Sequence, residues 1–158
     1  MTIPTTFTYP TTNYTISFLV KYTQSTSNSA CIFAKFYHNW SVASAQYIYI
    51  YQVDWYIKWD IPWKQDAVFN SQITINDGNW HHICCVKEWT SYKTYIDATL
   101  KTTQTSSQSI DWWSGSQWRL NKNVISNHNW FEWLLDEFIL EDKSWSADEV
   151  TAYYNKIK

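Results

Sequence analysis

Glycine is nearly missing from this chain: it occurs 2 times in 158 residues, where ordinary usage of roughly 7% would supply about 11. Cysteine is scarce as well. Cys31, Cys84 and Cys85 make an odd set with an adjacent pair, and neighbours on a strand point to opposite faces, so neither a disulfide framework nor spaced pairs of metal ligands is encoded. The three read as small buried hydrophobes, with a single disulfide from Cys31 to either partner as the alternative. A basic excess is also lacking. The formal charge is -2, with 12 Lys and Arg spread along the chain, so no positive stripe exists to neutralise phosphates, and nucleic acid is excluded as a partner. No apolar run approaches the roughly 20 residues that cross a bilayer, which argues against membrane insertion, and the polar start MTIPTTFTYPTT has no signal-peptide centre. An exported protein of this sequence is expected as an excised module.

What is present instead is aromatic and β-forming. Strict alternation marks a half-buried strand at Tyr14 to Tyr22, with Tyr14, Ile16, Phe18, Val20 and Tyr22 on one face and Thr15, Ser17 and Lys21 on the other. Further β-rich runs lie at Cys31 to Tyr37, Gln46 to Val53, Trp55 to Asp60, Ala67 to Phe69 and Gln72 to Ile75. Asp77-Gly78 signals a turn into a strand at Asn79 to Lys87. Tyr92 to Lys101 reads as a hairpin with Tyr92, Thr94, Ile96, Ala98 and Leu100 on one side, followed by a Ser/Thr/Gln-rich loop over Thr102 to Ser109. Strands near Trp118 to Asn121 and Phe131 to Leu140 bring the expected count to nine or ten at hairpin spacing, the pattern of a sandwich or barrel.

One helix is predicted, at the end. Ser146 and Glu149 have capping-box spacing, and Val150, Tyr153 or Tyr154, and Ile157 recur at helical intervals behind them. No repeat or linker divides residues 1–158, so a single domain is expected.

Four segments in this order carry a family resemblance: YTISFLVKY at 14–22, NDGNWHHICCVKE at 76–88, YKTYIDATLK at 92–101 and FEWLLDEFILEDKSWSADEVTAYYNK at 131–156. They are similar to the laminin G-like branch of the concanavalin A-like lectin and glucanase domains. That resemblance implies an all-β fold, a two-sheet antiparallel jelly-roll sandwich with one short C-terminal helix. It also implies an extracellular or virion-surface module that binds a glycan or a surface protein, in some members with calcium at the rim.

The departures from the family pattern fall at glycines. Trp89 and Trp133 stand where the family has glycine, as does Ala98 in YIDATL, and glycine at Trp55, Trp59, Trp63, Trp112, Trp113, Trp118 and Trp130 would restore ordinary turn chemistry. Only Trp80, in the WHH motif, is a tryptophan the family expects. Two readings follow: a genuinely tryptophan-rich surface, or a gene in which UGA specifies glycine and has been translated as tryptophan.

Catalytic arrangements are weak. Glu137 and Glu141 lie on one strand face, but four residues separate them by roughly 14 Å, beyond the about 5 to 9.5 Å of a glycosidase pair. The E-x-D-x-x-E spacing of sandwich glucanases is absent. Asp136 shares an apolar register with Leu134, Phe138 and Leu140 and is expected to accept from backbone amides or a neighbouring side chain and fix the last strand, with calcium ligation as the alternative. His81 and His82 diverge on their strand, one packing and one at the surface. Asp54, Asp60, Asp66, Asp77 and Asp111 lie in turn-like segments that would suit calcium, without spacing that names a site.

The leading expectation is therefore a non-catalytic carbohydrate-binding or adhesion module. Its candidate ligand-binding residues are Trp40, Trp112, Trp113 and Trp118, whose flat rings suit sugar faces, with Tyr47 and Tyr49, alternating on one strand. The alternative is a structural or protein-interaction domain of an appendage or tail-fibre assembly, and a glycoside hydrolase is third.

Overall fold

The computed structural model describes residues 12–22, 30–36, 47–53, 56–60, 68–75, 77–107, 117–120 and 133–158, with side chains over 12–22, 75, 77–107 and 134–158. These segments hold β1 (Asn13–Tyr22), β2 (Ala30–Phe36), β3 (Tyr47–Val53), β4 (Tyr56–Asp60), β5 (Val68–Thr74), β6 (Trp80–Glu88), β7 (Ser91–Ile96), β8 (Thr99–Thr105), β9 (Gln117–Leu120), β10 (Trp133–Glu141) and α1 (Ala147–Ile157). Two five-stranded sheets result, ordered β10-β1-β6-β7-β8 and β5-β4-β3-β2-β9. Every pairing in them is antiparallel. The all-β expectation with one C-terminal helix is met.

The central strands of the first sheet, β1, β6 and β7, are buried on both faces, and the outer strands β8 and β10 are not. One face carries Tyr14, Ile16, Phe18, Val20, Ile83, Cys85, Tyr92 and Ile96, all buried, and Phe138 of β10 stacks on Phe18 at 6.4 Å between ring centroids. Polar alternation in β1 predicts a solvated second face, but Thr15 and Ser17 are fully buried. The chain after β10 returns over that face: Thr15 donates to the Lys143 carbonyl at 2.6 Å and accepts from the Trp145 amide at 3.0 Å. Val150 of α1 is buried with Cys84, Val86 and Tyr95, and Trp145 packs against them. A strand whose polar side is roofed by a later segment is not distinguishable from a half-exposed one by its own alternation. Cys84 and Cys85 are free, buried thiols on opposite faces, as expected.

Helix α1 starts where its cap dictates. The Glu149 amide donates to the Ser146 hydroxyl at 3.2 Å, and the Ser146 amide to the Glu149 carboxylate at 2.8 Å. The two orphan amides of the first turn are thereby satisfied, and the acidic side chains of that turn suit the positive end of the helix dipole. Lys143 pairs with the same carboxylate.

Three strand expectations need correction. Val68–Thr74 is one continuous strand, because the polar residues between its two apolar halves do not interrupt the backbone ladder. Residues 102–105, expected in a loop, belong to β8: threonine is β-branched and suits an extended edge strand despite its polarity. The hairpin at 92–101 is split by Asp97 and Ala98, at φ 50° and 60°, so Leu100 lies beyond the turn on β8, half exposed, and not in line with Tyr92.

The register of β10 also differs. Ser17 faces Ile139, but Leu19 faces Asp136, so β10 carries one residue more than β1 between these pairs, a bulge. Glu137 sits in it at φ 50°. The bulge breaks the alternation that would align Asp136 with Phe138 and Leu140. Asp136 is exposed and accepts the Glu137 amide at 2.8 Å, the backbone role expected of it, without the apolar surroundings.

Candidate functional site

Position 96 of β7 pairs with Ile83 of β6, so the turn that follows places Asp97 at the foot of the WHH motif. Its two carboxylate oxygens divide the two histidines between them. Oδ2 meets Nδ1 of His81 at 2.7 Å, and Oδ1 accepts the backbone amide of His82 at 2.9 Å. The Asp97 amide closes the arrangement by donating to the His82 carbonyl at 2.9 Å. From the other side, Asp77 Oδ1 lies 2.9 Å from Nε2 of His81. Asp77 is itself fixed by the turn at Gly78: it accepts from the Asn79 amide at 2.8 Å and from the Asn79 side chain at 3.0 Å.

With a carboxylate on each ring nitrogen, His81 suits the doubly protonated form, in which both nitrogens donate. Burial opposes that charge, but the hydrogen bonds to Asp97 and Asp77 and their charges outweigh it, and the His81 pKa is raised. Asp77 is held well below the usual carboxylate range, mainly by the Asn79 side-chain and backbone donors, then by His81. Chemically the cluster is a closed clamp between the 77–79 turn, β6 and the β7–β8 turn. Among the described residues no group of three or more His, Cys, Asp or Glu is arranged to hold a metal ion.

His82 points the other way, onto the face covered by α1. It is fully buried, with Nε2 2.8 Å from the Ser17 hydroxyl. Burial, only partly offset by the charge of Asp97, lowers its pKa to about 4, so at neutral pH it is an uncharged packing residue. The division between a packing and a surface histidine is as expected; the carboxylates on both sides of His81 were not legible in the motif. A Ser–His contact invites a nucleophile reading, but both groups are sealed under α1.

The two glutamates tested for hydrolysis are occupied by the C-terminal segment. Tyr153 donates to Glu137 at 3.1 Å, and the Trp145 indole N–H donates to Glu141. Of the candidate ligand-binding residues, Trp40, Trp112 and Trp113 lie outside the described residues. Tyr47 and Tyr49 are on β3 and Trp118 on β9, the strands flanking β2 in the second sheet. Tyr47 is in register with Phe36 and Gln117, and Trp118 with Lys35. The backbone thus brings three of the six into one sheet but not onto one face: Tyr47 and Tyr49 share a face by period-2 spacing, while Trp118 lies in the Lys35–Ile48 row, which alternates with theirs. Of the calcium candidates, Asp60 ends β4 and Asp77 belongs to the His81 clamp, while Asp54, Asp66 and Asp111 lie outside the described residues.

Similarity to known proteins agrees with this architecture. A family model described as the concanavalin A-like lectin/glucanases superfamily matches residues 1–151. The binding domain of botulinum neurotoxin serotype D superposes with a TM-score of 0.66 at 14% identity, over 92% of this chain and 36% of that one. The binding domain of Paraclostridial Mosquitocidal Protein 1 gives 0.66 at 16% identity, over 92% and 37%. Domain 4 of AbnA, a GH43 extracellular arabinanase from Geobacillus stearothermophilus solved with arabinotriose, gives 0.64 at 16% identity, over 91% and 67%. The chain therefore spans little more than a third of the first two of these chains. No curated protein matches it by sequence.

Proposed function

We propose that this chain, which belongs to the concanavalin A-like lectin/glucanases superfamily, is a non-catalytic module that binds carbohydrate at a cell or virion surface. The observation that supports the non-catalytic half is that, among the described residues, the histidines and the glutamates weighed for catalysis are engaged in structural contacts. Asp77 and Asp97 clamp His81, His82 is neutral and roofed, Glu137 accepts from Tyr153 of α1, and Glu141 accepts from Trp145 just before it. A glycoside hydrolase of the usual kind needs two carboxyl groups facing a shared substrate space, and Glu137 and Glu141 instead face the C-terminal segment. The carbohydrate half draws on solved relatives of the same fold: the AbnA domain was solved with arabinotriose, and the serotype D ligand-binding domain with N-acetylneuraminic acid.

The proposed site is the second sheet and its loops, where Tyr47 and Tyr49, in register rows of one sheet face, would offer ring faces to sugars. They would be joined by Trp40 and, where those positions are tryptophan and not glycine, by the loop residues Trp112 and Trp113, with Trp118 in an alternate row and calcium as a candidate rim ligand. A glycan array that includes arabinan fragments and sialylated chains, probed with and without calcium, tests this. Binding that is lost on Tyr49→Ala supports it, and silence across the array under both conditions overturns it.

We also propose that part of the tryptophan set is glycine in the native protein. Trp89 supports this: it occupies the turn between β6 and β7 at φ 52°, with 68% of its surface exposed. That is the left-handed region where glycine alone is free of steric cost. Trp145 marks the limit of the idea, because it is packed on the Val150 cluster and hydrogen-bonded to Glu141. The gene is therefore expected to carry UGA at 89 and UGG at 80 and 145. UGG at 89 and 133 would sink the proposal.

A further inference from the structure

His82 is enclosed by three elements. Ser17 approaches Nε2 from β1. From α1, the Tyr154 ring stacks on the imidazole at 5.9 Å and 18°, and the Tyr153 ring tilts against it at 5.6 Å and 50°. From the β7–β8 turn comes Asp97, whose Oδ1 is engaged by the His82 amide and whose Oδ2 is engaged by His81. Among the described residues, charged groups one step away are Lys158, over the Tyr154 ring at 5.4 Å, Glu137 of β10, which accepts from the Tyr153 hydroxyl, and Asp136, whose charge also acts on Tyr153. Nδ1 of His82 is buried with no hydrogen-bond partner.

This surrounding suits one proton on the ring and not two. A second proton makes a buried cation whose Nδ1 side has nothing to accept from it, pressed against two tyrosines of one short helix. We propose that His82 is an acid-operated latch: protonation expels the imidazole from beneath Tyr153 and Tyr154 and releases α1 from the sheet. The helix is the element that yields. The sheet strands are held by backbone ladders, whereas among the residues of α1 only Val150 is fully buried, and at 11 residues α1 is too short to persist once detached. Release uncovers Cys84, Val86 and Tyr95, an apolar face closed at neutral pH. The device adds regulation to the module and does not depend on which ligand it binds.

The docked ring titrates at about 4 and a free one at 6.5. Docking is therefore fully supported above pH 6.5, weakens as pH falls through that value, and reaches its weakest level below 4. At pH 5 the docking equilibrium drops about 30-fold.

Hydrogen exchange of the whole chain, corrected for intrinsic rates, tests the latch at pH 7.5 and pH 5.0. Amides of α1 should lose about 30-fold protection while those of β1 and β6 keep theirs, and in His82→Gln the α1 protection should not change with pH. Constant α1 protection in the natural chain, an equal fall in the variant, or joint loss across β1 and β6 overturns it. Should the variant fail to fold, an NMR titration of the His82 imidazole in the unaltered chain decides the matter: titration near 6.5 with α1 still protected excludes the latch.

Discussion

Nδ1 of His81 lies 2.7 Å from Asp97 Oδ2, and this contact ties the entry of β6 to the β7–β8 turn. It differs from an ordinary surface ion pair because the second carboxylate oxygen is fixed by the backbone of the next residue, His82. Asp97→Asn keeps the shape but can satisfy only one of these two donors well. A loss of about 1 to 3 kcal/mol is expected, the usual cost of removing one partner of a partly buried charged hydrogen bond. Urea unfolding of the two proteins at pH 6 measures it.

The pH dependence of that loss follows from the direction of the His81 shift. Its pKa is raised in the fold, so the clamp stabilises fully below the unfolded value of 6.5 and fades as pH rises through the folded one. His81→Gln should thus destabilise the protein at pH 5.5 and converge toward the unaltered chain at pH 9. The neighbouring His82, with its pKa lowered, has the opposite sign: its burial costs nothing above pH 6.5 and destabilises progressively down to about 4. Midpoints of unfolding across this range, measured for each histidine variant, should move in opposite directions.

Part of the first sheet was legible in the sequence: Tyr14 to Tyr22 falls where period-2 patterning puts it, the strand after it in the sheet follows the Asp77-Gly78 turn signal although its Ile83–Val86 run does not alternate, and the Ser146 cap fixes the helix start to the residue. Several failures come from contacts distant in sequence. Thr15 and Ser17 look solvent-facing until residues 143–145 cover them. The bulge at Glu137 shows only as a register shift against β1, so local alternation misassigns Asp136. Asp97 lies unmarked in the sequence, inside the 92–101 hairpin, and its pairing with His81 depends on which residue of β6 the register sets opposite Ile96.

The capping box makes a local prediction. Ser146→Ala removes the acceptor of the Glu149 amide and should cost about 1 kcal/mol. Since α1 roofs the face carrying Thr15, Ser17 and His82, the cost should appear first as faster amide exchange in residues 148–152 at neutral pH. The opposite face of the sheet, with Phe18 and Ile83, should keep its protection. Equal acceleration on both faces would mean that α1 and the sheet open as one unit.

Trp89 sets a side-chain argument against a backbone one. At φ 52° a residue with a Cβ carries roughly 1 to 2 kcal/mol of strain, while glycine there loses back about 0.5 to 1 kcal/mol in unfolded-chain entropy. The indole can offset little of that difference, because 68% of Trp89 is exposed. Its backbone is secured independently, the amide donating to the Thr12 carbonyl and to Asn13 Oδ1, each at 3.0 Å, and these bonds survive any side chain. Trp89→Gly should therefore stabilise the protein by about 0.5 to 1 kcal/mol, seen as a higher urea midpoint with unchanged slope. Trp145→Gly is the counterpart: it empties a packed position over Cys84 and Val86 and should destabilise by about 3 kcal/mol or more. If both substitutions destabilise, the side chain of Trp89 makes contacts that compensate its backbone, and tryptophan belongs at that turn.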